Sequence, residues 1–77
     1  METELTIMYW GNGNTDIAVD MDELLAEYPL GSDEDNEMRE SVMEHATTIT
    51  ASECVLYLDT DTWISKKAEK IIRSVDV

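Results

Sequence analysis

Carboxylates are the chemistry-bearing side chains of this chain. Eighteen of its 77 residues are Asp or Glu, and eleven of those fall between Asp16 and Glu44, where Arg39 is the single base. Asp33, Glu37, Glu40 and Glu44 recur at steps of four, three and four residues. On an α-helix that spacing places all four on one face. Like charges one turn apart cost a helix about 0.2–0.5 kcal/mol per pair. Folding alone gives no reason for such a row. Asp22, Glu23 and Glu27 form a second cluster just upstream.

Other chemistry finds thinner support. Ser32 to Glu37 offers oxygen ligands, but without the EF-hand spacing or its glycine, so no dedicated metal site is expected. His45 is the only histidine and has no Cys or second His to complete a metal set; a structural or surface role is expected. Cys54 stands alone in an apolar run, which rules out an intrachain disulfide and suits a buried, inert thiol in a reducing cytoplasm. No Ser/His/Asp or Cys/His constellation is present, and the chain reads as a non-enzyme without a cofactor. Val55–Leu58 followed by Asp59-Thr60-Asp61-Thr62 resembles the DxDxT motif of haloacid-dehalogenase-type phosphatases. That resemblance implies a strand ending in a nucleophilic Asp59, with Asp61 as acid/base. It spans about eight residues, and the fifteen residues after Thr62 leave no room for the rest of that family's longer core. A strand end followed by helix caps accounts for the same aspartates.

The elements that position these groups can be read from periodicity. Glu4 to Trp10 alternates as a half-buried strand, with Leu5, Ile7 and Tyr9 on one face and Thr6 and Met8 on the other. Gly11-Asn12-Gly13-Asn14 signals a hairpin, and Asp16 to Asp20 is the return strand. A two-residue Asn12-Gly13 loop would set Leu5 opposite Asp20. A three-residue loop with a bulge sets Leu5 against Val19 and Ile7 against Ile17, which unites the apolar sets and is the expected register. Asp20 caps a short helix, with Glu23 in capping-box position, Leu24, Leu25 and Tyr28 inward, and Pro29 as its stop. Ser32 or Asp33 then caps a longer helix to about Thr47, with Met38, Val42, Ala46 and Ile49 as its apolar stripe. Thr47–Ser52 is ambiguous, a place for that helix to fray. Glu53–Leu58 reads as a buried central strand. Asp59 to Thr62 offers N-caps for a last helix, with Ile64, Ala68, Ile71, Ile72 and Val75 inward and Lys66, Lys70 and Arg73 outward. The expectation is one α+β domain over residues 1–77, in the order β-β-α-α-β-α. Its sheet would have three strands, antiparallel or mixed, with the third strand in the middle beside the first. About three helices would pack mainly on one face.

Charge bears most on function. The net charge is −13, with sixteen acids against one base over residues 1–61 and four bases against two acids over residues 62–77. A merely soluble domain intersperses its signs and carries a charge of roughly 2–8. Such a chain is repelled by nucleic acid and by anionic membranes and is attracted to basic surfaces. The N-terminus has neither a basic n-region nor an apolar h-region, and no apolar run reaches membrane-spanning length, so a cytoplasmic protein is expected. Trp10, at the hairpin tip, would make an interface anchor if exposed. In size, low pI, single α+β domain and lack of a catalytic set, the chain resembles the small acidic phage and mobile-element inhibitors that mimic nucleic acid, anti-CRISPR proteins among them. The resemblance is compositional and rests on no motif. It implies steric block of a basic nucleic-acid-binding protein, such as a CRISPR effector complex, without direct nucleic-acid binding. The residues that would carry this are Asp33, Glu37, Glu40, Glu44, Asp22, Glu23, Glu27 and Trp10. The alternative is an interaction module or assembly subunit, whose acidic helices pair with the basic last helix of a second copy to give a homodimer.

Overall fold

A computed structural model describes residues 3–11 and 13–76. Asn12, placed by the sequence in the hairpin turn, lies outside the described residues. The elements run β1 (Glu4–Tyr9), β2 (Thr15–Ala18), α1 (Met21–Leu25), α2 (Asp33–His45), β3 (Thr47–Thr50), α3 (Ala51–Cys54), a 3-10 turn (Val55–Tyr57), β4 (Trp63–Ile64) and α4 (Lys66–Asp76). The protein is α+β, with a mixed four-stranded sheet in the order β3-β1-β2-β4. No helix among the described residues is long and apolar enough to cross a membrane.

The hairpin takes the register that unites its apolar faces, with Ile7 opposite Ile17 and Tyr9 opposite Thr15. Trp10 N–H donates to the Asn14 carbonyl and Gly13 N–H to the Trp10 carbonyl; Gly13 sits at φ 92°, the left-handed region that a bulged turn requires. Val19, expected opposite Leu5, lies just beyond β2, and its N–H donates to Glu23 Oε1 instead.

Pairing departs from expectation in the second half. The third strand is Thr47–Thr50, which lies antiparallel beside β1 at the sheet edge rather than in the middle. Three threonines and an isoleucine are β-branched, stiff at χ1 and poor at continuing a helix, so the chain turns extended at Ala46. Glu53–Leu58 is not a strand. Ala51 and Cys54 lie three residues apart and small, so one helical turn lets them pack fully buried with Ala68 and Ile72 of α4. A short apolar run fits strand and helix equally well by periodicity, and here the contact with α4 decides. Ile64 belongs not to the last helix but to β4, parallel to β2, with Asp16 beside Trp63 and Ile17 beside Ile64. The last helix is capped by Ser65 rather than by Asp59–Thr62: its Oγ accepts from Ala68 N–H, and its carbonyl from Glu69 N–H.

Helices cover both faces of the sheet instead of mainly one. Leu5, Ile7 and Ile17 point into a core closed by α3 and α4. Met8 and Ala18, on the opposite side of the pleat, point into a second core with Leu24 of α1 and Val42 of α2. β1 is therefore buried on both faces, Met8 included. Val75, expected inward on α4, is 42% exposed.

Candidate functional site

The acidic row stands on a well-made helix. Ser32 Oγ accepts from Asp35 N–H at 3.1 Å and so caps α2; three acids in the first turn meet the positive end of the helix dipole. Val42 is the buried contact, and Asp33, Glu37, Glu40 and Glu44 are all exposed on the side away from it. Steps of three and four residues space them about 4.5–6 Å along the axis. Asp22 and Glu27 are exposed in and just after α1, which packs beside α2 on the same face of the sheet. Across the sheet, α4 exposes Lys66, Lys67, Lys70 and Arg73. The sheet thus separates an acidic layer from a basic helix.

Little neutralises the acidic layer. Among the described residues Glu69 pairs with Arg73 at 3.1 Å, within α4, and the exposed His45 Nε2 lies 3.8 Å from Glu44. Arg39, the one base in the stretch, turns inward: its Nη1 donates to the carbonyls of Leu25 at 2.9 Å and Tyr28 at 3.0 Å, at the end of α1. There it meets carbonyls at the negative end of a helical turn, the Leu25 carbonyl also accepting from Tyr28 N–H at 2.9 Å. Replacing Arg39 with Ala is expected to destabilise the fold by about 1–3 kcal/mol, read from the urea midpoint, because both carbonyls lose a charged donor.

Two residues assigned to the partner surface are engaged internally. Glu23 Oε1 accepts from Val19 N–H at 2.8 Å and from the Ser65 hydroxyl, while Asp20 Oδ1 accepts from Glu23 N–H at 2.8 Å. Glu23 therefore ties α1 to the cap of α4. Trp10 is half-buried against the second core; its Nε1 donates to Asp16 Oδ2 at 2.8 Å, and its ring meets Tyr28 edge-on at 5.7 Å between centroids. Cys54 is a buried free thiol, pushed up by burial and then by Glu53. Asp59 follows a helical turn rather than a strand, so the strand-end geometry of the phosphatase motif is not formed. Among the described residues no three His, Cys, Asp or Glu side chains converge as a metal set.

Sequence reasoning missed one feature, a cavity of about 500 Å³ at the hairpin end, lined by Trp10, Asp16, Tyr28, Met38, Asp61 and Trp63 among others. Its signal lay in alternation: Asp16 shares a strand face with Ala18 and pairs across from Met8, which sets a carboxylate among inward residues. Tyr28 O–H donates to Asp16 Oδ2 at 3.0 Å; burial, and then the neighbouring carboxylate, push this hydroxyl up to about 12. A folded value above the unfolded one means stability that is fully present below about pH 10 and is lost as pH rises through about 12. Urea midpoints between pH 8 and pH 12 should fall in that window, and Tyr28→Phe should remove part of the fall.

Comparison with family models, curated proteins and solved structures gives no match. The geometry stands alone.

Proposed function

We propose that this protein is a non-enzymatic inhibitor that occupies the basic nucleic-acid-binding groove of a protein effector, with a CRISPR effector complex as one candidate target. The observation that carries this reading is the exposed row Asp33, Glu37, Glu40 and Glu44, held on a capped helix while the only nearby Arg is turned inward. A helix of 13 residues spans about 20 Å. Along one strand duplex DNA presents a charge per about 3.4 Å of axis, on the scale of the carboxylate steps, which suits the row to a Lys/Arg groove built for phosphates. Asp22 and Glu27 extend the surface. Glu23 and Trp10 support it from within, given their internal hydrogen bonds. The test is binding to basic nucleic-acid-binding proteins over a salt series, where affinity should fall steeply as salt rises.

The separation of charge across the sheet favours one alternative, an assembly subunit in a cytoplasmic setting. The acidic layer of one copy would meet α4 of the next, a head-to-tail contact rather than a self-complementary one. Self-association that rises with concentration and weakens in Lys66→Glu or Lys70→Glu would mark that reading.

A further inference from the structure

The cavity at the hairpin end has a composition that selects its ligand. Trp10, Tyr28 and Trp63 are among its lining residues, with Asp16 and Asp61, and no Lys or Arg lines it. Asp16 is held in place by two donors on Oδ2, the Trp10 indole and the Tyr28 hydroxyl. Satisfying the two aromatic donors explains one oxygen of Asp16 but not the open space beside the carboxylate. Aromatic faces attract cations through their quadrupole, and a carboxylate in the same enclosure adds Coulomb attraction and a hydrogen-bond acceptor. A neutral donor gains the hydrogen bond but not the charge attraction, and an anion is repelled.

We infer that this cavity receives one arginine side chain of a protein partner, its guanidinium among the aromatic side chains and bonded to Asp16. The chain's net charge of −13 draws basic proteins to it, which favours a residue of such a partner over a free metabolite. A guanidinium suits the site better than an ammonium, because its flat, weakly hydrated surface stacks on aromatic rings and its fork matches a carboxylate. The volume, within the roughly 300–1,000 Å³ of small-molecule pockets, accepts the aliphatic stem as well. This inference deepens the proposed function and rests on it for the partner's identity, though not for the binding chemistry: the acidic row would meet the groove while the cavity anchors one arginine.

Both tryptophans of the chain line the cavity, so intrinsic fluorescence reports it directly. A pentapeptide with a single central arginine, titrated into the full chain at physiological salt, should give a saturable fluorescence change. The same peptide with citrulline, uncharged but of similar shape, should bind about tenfold more weakly. Asp16→Asn keeps an acceptor for Trp10 and Tyr28 and should weaken the arginine peptide to a similar extent. No saturable change, or equal affinity for the arginine and citrulline peptides, would overturn the inference. Tighter binding of choline than of the arginine peptide would overturn it too, in favour of a small-molecule cation. Because this titration involves no effector, its failure leaves the mimicry reading standing, and failure of displacement leaves the titration's result intact.

Discussion

Reversing two charges on α2, Glu37→Lys with Glu40→Lys, is expected to abolish displacement of nucleic acid from a basic effector. The loss should be on the order of a hundredfold or more in apparent affinity, because like-charge juxtaposition across an interface costs several kcal/mol. Both side chains are exposed and form no ion pair among the described residues, so the fold has little to lose by the change. Removing like-charge neighbours from the helix face should if anything leave stability unchanged or slightly higher. A variant as stable as the parent but inactive would therefore locate the surface. Binding anisotropy with a labelled duplex measures the first quantity and urea unfolding the second.

Ile17→Ala is expected to have the largest effect on the fold. Ile17 is fully buried, lies opposite Ile7 on β1 and beside Ile64 on β4, and joins the core closed by α3 and α4. Truncating such a residue costs about 2–5 kcal/mol. At roughly 0.05–0.15 kcal/mol per residue, a domain of this length has only about 4–12 kcal/mol to lose. The urea midpoint should fall sharply or the chain should be unfolded at room temperature. Ile17→Val, at about 0.5–1.5 kcal/mol, is the graded control. A near-neutral Ile17→Ala would mean that β2 does not occupy the centre of the sheet.

Local signals made much of this structure legible. The capping serine and the three- and four-residue spacing marked α2 and its exposed row, because both act within a few turns of one helix. Matching Ile7 with Ile17 marked the hairpin register for the same reason. What the sequence concealed depends on distant contacts. Val55–Leu58 reads as a strand until Cys54 meets Ala68 and Ile72, and Thr47–Thr50 reads as a fraying helix until β1 offers an edge. Trp63 and Ile64 form too short a strand to show periodicity, and only their parallel pairing with β2 defines it. Among the site residues, exposure was legible for Asp33, Glu37, Glu40 and Glu44. Glu23 was not, since its hydroxyl partner Ser65 lies 42 residues away. Arg39 and Trp10 were drawn inward by carbonyls and a carboxylate that the chain brings to them only on folding.

The most direct test of the central claim is a displacement assay. Increasing amounts of this protein are added to a panel of basic nucleic-acid-binding proteins, CRISPR effectors included, each holding a labelled duplex at low salt. Release of the duplex from at least one member, stoichiometric with the added protein and reversed by raising the salt, is the predicted result. If no member releases its duplex at low salt, the acidic layer is a solvated face or a contact between copies of this chain, and mimicry is contradicted.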